Sequence, residues 1–206
     1  MTSPYAWAPV LPAQVVDDAA VNALGAAVTL HGSQIVALQA LSPVLGARQI
    51  LSGAQASVTF LGIPATSRRA KVYWGARGDA AVTGQTLRIR INNDSGANYT
   101  MEQVQGTGAT LVGAPSSGLT SGIAGVMPGA SATAGIFGSG EIVFVGMDAP
   151  HSTNLGWTYT SQSMHTGNVA NSGGGAYAGT GPFIRIDVLP ESGNFVTGSD
   201  FQIEVW

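Results

Sequence analysis

Histidine, serine and carboxylate side chains are the groups of this sequence best suited to catalysis or metal binding. The three histidines are His31, His151 and His165, and no HExxH motif or close pair occurs among them. Zinc sites usually show such local ligand spacing. No GxSxG motif marks a serine as a nucleophile held on a strained turn. The sequence therefore predicts neither zinc chemistry nor a catalytic serine.

The carboxylates beyond residue 78 are sparse and scattered. They are Asp79, Asp94, Glu102, Glu141, Asp148, Asp187, Glu191, Asp200 and Glu204. Two of them could converge from distant strands to hydrolyse a glycosidic bond, but no spacing points to such a pair. Residues 92–96, NNDSG, are rich enough in oxygen for calcium yet lack the later acidic residue of an EF-hand loop, so we expect a tight turn. We predict a chain that is not an enzyme and uses no metal or other cofactor.

Two further features could bind partners. Residues 77–79 spell the cell-adhesion tripeptide Arg-Gly-Asp, although Gly-Asp after a strand is also ordinary turn chemistry. Aromatic side chains could stack on sugar rings, which would make the chain a carbohydrate-binding module. The candidates are Trp74, Trp157, Tyr159 and Tyr177. A core or inter-subunit contact is the favoured interpretation of each, and Tyr177, in a Gly-rich segment, is expected to be the most exposed.

The low charge of the chain excludes several partner classes. Charged residues make up 9% of the 206 residues and the formal net charge is -3, whereas ordinary globular proteins are about 25% charged. Arg68, Arg69 and Lys71 are too few to bind nucleic acid. No signal peptide or membrane-spanning run is recognised, so we expect synthesis in a cytoplasm and no membrane insertion. Without cysteine, no disulfide can form.

A helix is predicted over residues 17–42 because apolar residues alternate at spacings of three and four. The seam residues are Val21, Leu24, Val28, His31, Ile35 and Leu38. Valine or isoleucine at position a and leucine at position d are typical of a short coiled coil. Asp17 and Asp18 suit the start of this helix, and Pro43 suits its end. The pattern favours an oligomer built on this helix, although an amphipathic helix lying on its own domain would show the same stripe.

His31 would place one imidazole per chain inside this seam. It either fixes the register as a tolerated polar residue, which is the favoured interpretation, or shares water or an anion with its copies. Gly25 and Gly32 each cost about 1 kcal/mol relative to alanine, so partner helices must supply stability. The small residues that flank the seam favour more than two helices.

Residues 1–16 are predicted to form a docking arm. They hold three prolines among the apolar residues Tyr5, Trp7, Val10 and Leu11. The segment is too rich in proline for a helix, and its aromatic residues are typical interface anchors. The arm either binds another protein or folds back on its own domain.

From residue 47 to 206 the pattern predicts an antiparallel β-sandwich domain, jelly-roll-like as a first choice. Period-two segments alternate with Gly, Ser, Asn and Pro. We predict nine strands, at 48–51, 57–61, 70–76, 86–92, 99–104, 141–147, 157–163, 183–189 and 201–206. The small-residue stretch 106–140 is expected to bury little by itself. Residues 167–181, with Gly173, Gly174 and Gly175 in a row, are expected to form a loop or flexible tip.

Two sets of short segments resemble structural proteins of tailed-bacteriophage particles. The first set contains PYAW at 4–7, QVV at 14–16 and AVNAL at 20–24, and is similar to the arm and helix of fibre and minor tail proteins. The second contains VTF at 58–60, IPA at 63–65, VYWGAR at 72–77, LRIRIN at 87–92, DSG at 94–96, NY at 98–99 and SGNF at 192–195. It resembles a β-sandwich head found on phage tail fibres and capsid surfaces.

This resemblance implies a protein of the phage particle, assembled in the bacterial cytoplasm. The expected form is a homotrimeric, fibre-like or minor tail component whose arm binds another particle protein. One alternative is a capsid decoration protein at three-fold positions. Another is a carbohydrate-binding adhesin that contacts a host-surface glycan.

Overall fold

The computed structural model describes residues 44–46, 48–107, 110–148, 155–164 and 169–206. All of them belong to one compact unit, Pro43–Trp206. The predicted docking arm and the predicted helix, with all of their named residues, lie outside the described residues.

The described residues are mainly β and contain thirteen strands. The strands are β1 Val44–Leu45, β2 Gln49–Ile50, β3 Val58–Leu61, β4 Arg69–Ala76, β5 Gly84–Ile91, β6 Tyr99–Thr107, β7 Thr110–Leu119, β8 Gly122–Pro128, β9 Gly138–Val145, β10 Leu155–Ser163, β11 Val169–Tyr177, β12 Arg185–Pro190 and β13 Asp200–Val205. No helix occurs within this part of the chain.

The strands form two antiparallel sheets. The large sheet has nine strands, in the order β1-β13-β4-β9-β10-β11-β6-β7, with β2 also paired to β13. The small sheet has four strands, in the order β3-β12-β5-β8. The expectation of a mainly β, antiparallel domain is therefore confirmed.

The inner faces of the two sheets pack against each other around one hydrophobic core. Leu87, Ile89 and Ile91 of β5 are fully buried on one face, while Arg88 and Arg90 alternate with them on the other. From the large sheet, Trp157 reaches across the core and donates its indole N–H to the Ile123 carbonyl at 2.9 Å. The arrangement is sandwich-like, with aromatic side chains filling the space between the layers.

All nine predicted strands occur, with shifted ends, but the prediction for residues 167–181 is wrong. Residues 169–177 form β11, which lies between β10 and β6 inside the large sheet. The aromatic rings of β10 explain this: Trp157 lies opposite Gly175 and Tyr159 opposite Gly173. The stretch 106–140 likewise contains two whole strands, β7 and β8. Ala124 and Met127 of β8 are fully buried.

The NNDSG segment is a tight turn, as expected, and links the small sheet to the large one. Asn92 and Asn93 adopt left-handed backbone angles, with φ of 51° and 59°. The Asp94 carboxylate accepts hydrogen bonds from the Gly96 N–H, the Asn98 amide and the Tyr177 hydroxyl, at 2.7, 2.7 and 2.8 Å. The backbone hydrogen bond from Gly96 is the main reason that the pKa of Asp94 lies below its ordinary value.

The Arg-Gly-Asp tripeptide is built into the fold. Arg77 is 8% exposed, and its guanidinium donates to the carbonyls of Ala130, Ala132, Thr133 and Ile136 at 2.6 to 3.2 Å. Asp79 accepts hydrogen bonds from the backbone and side-chain amides of Asn194, at 2.7 and 2.9 Å. The turn interpretation of this tripeptide agrees with these contacts, because both charged side chains are engaged within the domain.

Candidate functional site

The outer face of the large sheet carries a broad depression, here called the outer trough. Because side chains alternate between the two faces of a strand, every second residue of each strand points toward it. On β10 these residues are Thr158, Thr160 and Gln162, all exposed, whereas Trp157 and Tyr159 between them are buried. The floor of the trough is therefore set by the period-two pattern of the central strands.

The strand registers align one residue from each of six strands into a continuous row across the trough, here called the central row. In spatial order it consists of Gln202, Tyr73, Glu141, Thr160, Ser172 and Val104. Each member faces its neighbour directly across a strand pair, where Cβ atoms lie about 4.5–5.5 Å apart. The row brings together an aromatic ring, an amide, a carboxylate and two hydroxyls that are far apart in the sequence.

Two adjoining cavities make up the trough, with volumes of about 940 and 860 Å³. Both are lined by Glu141, Thr160, Ser172 and Val104, which belong to the central row. The larger cavity also reaches Tyr73 and Gln202. The two cavities therefore form one continuous surface, with the central row as their common floor.

Tyr73 is the aromatic residue of this row and is held in place on several sides. The residue is 36% exposed. The Lys71 ammonium lies 4.6 Å from the ring centroid, and the Tyr73 hydroxyl donates to the Glu204 carboxylate at 3.3 Å. Lys71 also forms an ion pair with Glu141, at 2.6 Å between Nζ and Oε2. The ring is thus oriented by a cation–π contact and a hydrogen bond while part of the residue stays exposed to solvent.

A second ion pair lies at this end of the trough. Arg48 contacts Asp200 with Nε 2.9 and 3.0 Å from the two carboxylate oxygens. The hydrogen bond to Arg48 is the main reason that the pKa of Asp200 lies below its ordinary value. In the same way, the hydrogen bond to Glu141 raises the pKa of Lys71. These four charges form two neutral pairs, whereas Glu204 beside Tyr73 and Glu102 at the smaller cavity form no ion pair within the described residues, so the trough is weakly acidic.

Of the central row, the sequence alone singles out only Glu141, as one of the scattered carboxylates. The predicted oligomerisation and docking residues lie outside the described residues, as do all three histidines. The four candidate sugar-stacking aromatics, Trp74, Trp157, Tyr159 and Tyr177, are at most 5% exposed and belong to the core. The favoured core interpretation is confirmed, and the expectation that Tyr177 is exposed is wrong. Tyr73 is not among these candidates. It directly precedes the buried Trp74 in β4, so the alternation of side chains along a strand places it on the opposite, outer face.

Metal-binding clusters and membrane-spanning helices are absent from the described residues. These residues contain no group of three or more His, Cys, Asp or Glu side chains placed to hold a metal ion. No helix among them is long and apolar enough to cross a membrane. Arg68, one of the basic residues considered for nucleic acid, pairs with Asp148 at 3.2 Å.

In comparisons with known proteins, no family model, no curated protein and no solved structure matches this chain.

Proposed function

We propose that this chain is a non-enzymatic structural protein on the surface of a tailed-bacteriophage particle. In this proposal it is a homotrimer, placed as a fibre-like or minor tail component after assembly in the bacterial cytoplasm. The helix at 17–42 joins the copies, the arm at 1–16 binds another particle protein, and the β domain faces outward.

The order of the strands is the observation that carries this proposal. With β3 counted as the first strand and β9–β11 together as the seventh, the small sheet has the order 1-8-3-6. The large sheet then contains 2-7-4-5, with β13 added at its edge. We infer a jelly roll in which the seventh strand has expanded into a three-stranded meander. Jelly rolls are frequent in viral capsid and lectin domains, so the argument from fold is one of analogy.

The sequence supplies the second line of support. The segments at 4–7, 14–16 and 20–24 resemble the arm and helix of phage fibre proteins, and several strands of the β domain carry the segments that resemble phage head domains. Trimers are preferred over dimers on the resemblance and on the small residues beside the seam, because valine at a and leucine at d alone would also allow dimers.

Light scattering of the full-length chain tests the assembly. A mass of three chains is expected, and Leu24→Asp with Ile35→Asp in the seam should return monomers. A wild-type monomer at micromolar concentration would contradict the trimer.

The number of copies per particle separates the two possible positions on a phage. A quantitative gel of purified particles should show a small number of copies for a tail component. Hundreds of copies would instead identify a capsid decoration protein at three-fold positions, which is the second candidate. Absence from purified particles would overturn both.

A further inference from the structure

We propose that the outer trough binds an uncharged polysaccharide chain, laid along the central row with one sugar ring stacked on Tyr73. Only the biological role of this binding rests on the proposed function, because the binding itself can be measured on the purified chain. It places the contact on a face different from the buried aromatics that the sequence first suggested.

The first argument is the arrangement of groups around Tyr73. The apolar face of a sugar ring packs on an aromatic side chain, while its hydroxyls need donors and acceptors at the ring edge. Tyr73 supplies an exposed ring whose orientation is already fixed by Lys71 and Glu204. Gln202 and Glu141 lie directly on either side of it in the sheet. An amide offers both donors and acceptors, and the Glu141 side chain is 41% exposed, so both can meet sugar hydroxyls.

The second argument is the chemistry of the remaining floor. Thr160 and Ser172 continue the central row with hydroxyls, and Thr158 and Gln162 lie beside it on β10. These side chains are uncharged and can both donate hydrogen bonds to sugar hydroxyls and accept hydrogen bonds from them. Glu141 and Asp200 are paired with Lys71 and Arg48, while Glu102 and Glu204 form no ion pair within the described residues. The resulting weak negative charge would repel an acidic ligand, so the trough favours an uncharged one.

The same features disfavour two other partners. Nucleic acid binding depends on clustered lysine and arginine, and the central row has none. The buried centre of a protein interface is enriched in large apolar and aromatic residues. Across the central row only Tyr73 and Val104 fit that description, and three polar residues separate them.

The third argument is size and shape. Six neighbouring strands span about 24 Å at about 4.8 Å per strand, which is long enough for several linked sugar rings. Each of the two cavities, at about 940 and 860 Å³, lies within the usual range of about 300–1,000 Å³ for ligand sites. Because they are continuous, an extended chain fits this surface better than a single sugar.

A glycan array tests the proposal with the full-length chain. The probes are neutral hexose and N-acetylhexosamine oligosaccharides, with uronic-acid oligosaccharides for comparison. We expect binding to a neutral class that persists at high salt. Tyr73→Ala should weaken it roughly tenfold, as expected for loss of one aromatic contact. Tyr73→Phe should retain it because the ring remains, and Gln202→Ala should weaken it several-fold.

Trp206→Ala is the matched control, because Trp206 is 39% exposed and does not line either cavity. It should bind as the wild type does. The proposal is overturned if no neutral probe binds, if Tyr73→Ala binds normally, or if only acidic probes bind and salt removes them. It is also overturned if Tyr73→Ala changes the mass of the assembly instead, which would make the trough a contact between copies. None of these results alters the copy number in the particle, so the two proposals fail independently.

Discussion

The indole ring of Trp157 lies against Gly175, its partner on the neighbouring strand: a Cβ atom added at Gly175 would sit 2.5 Å from Cζ2 of Trp157. The same Cβ would also collide with the Thr100 carbonyl. The ring therefore occupies the space that a side chain on β11 would take, and the glycine is required by packing rather than by an unusual backbone angle.

Gly175→Ala should consequently destabilise the fold. Forcing extra volume into a packed core costs about 1–3 kcal/mol of unfolding free energy, and here one obstacle is a backbone carbonyl that cannot rotate away. Urea denaturation measures the change. Gly156→Ala is the matched control on β10, since the nearest atom there, in Val145, is 3.4 Å from the added Cβ. Equal stability of the two variants would refute the packing argument.

Arg77→Met should lower the unfolding free energy by roughly 2–5 kcal/mol, because it leaves several carbonyls of the segment 130–136 without a donor. Arg77→Lys should restore little of the lost unfolding free energy, since a single ammonium group cannot donate to all four carbonyls that the planar guanidinium reaches. Arg90→Met serves as the control: Arg90 makes one hydrogen bond of 3.4 Å, to the Thr120 carbonyl, and its loss should matter far less. Thermal melting of the three variants should show a larger loss of stability for both Arg77 variants than for Arg90→Met. Similar losses at the two arginines would contradict the prediction.

Asp94 should make the stability of the domain depend on pH at the acid end. Its pKa is lower in the folded chain than the ordinary value of 3.8, so its contribution is fully present above that value. The contribution is lost as the pH falls through the lower, folded value. Asp94→Asn should therefore be less stable than the wild type at neutral pH, and the difference should shrink below about pH 3.8.

Tyr177→Phe offers an independent check of the same contact. Removing the hydroxyl that donates to Asp94 should raise the pKa of the carboxylate toward its ordinary value, which NMR titration can follow. A stability difference for Asp94→Asn that stays constant from neutral pH to pH 2 would show that charge is not involved.

Strand β7 should tolerate charge. Its ten residues carry none, Leu111 is 74% exposed, and it forms one edge of the large sheet. Long uncharged edges can pair with other chains, and lysine on such an edge opposes this. Leu111→Lys should leave the melting temperature nearly unchanged and raise the concentration at which the protein aggregates. A clear drop in melting temperature, seen together with a smaller mass of the particle in solution, would mean that copies of the chain cover this strand.

The sequence predicted those strands whose alternation is strong. In β5, arginines alternate with leucine and isoleucine, so both the strand and its buried face could be identified. Strand β11 could not be predicted in this way, because its formation depends on a neighbouring strand. Gly173 and Gly175 fit into the sheet because Tyr159 and Trp157 of β10 fill the space beside them. Local patterns favour a loop at three consecutive glycines, and tertiary packing overrides that preference.

The outer trough could not be predicted from the sequence for a similar reason. Tyr73, Glu141 and Gln202 are separated by about 60 residues or more in the chain and become neighbours only through the registers of β4, β9 and β13. No local spacing marks such a set. Trp74 was correctly predicted as a core residue. Because side chains alternate between the two faces of a strand, this prediction also implies that Tyr73 lies on the opposite face.

The unequal width of the two layers has an evolutionary consequence. Four strands cannot cover nine, so one end of the β6–β7 ribbon, residues 104–107 and 110–113, extends past the core, and most of its side chains are exposed. Substitutions there carry almost no folding penalty. This end of the ribbon is where descendants of the protein can diversify fastest, and where a foreign peptide could be displayed without cost to the folding of the domain that carries it.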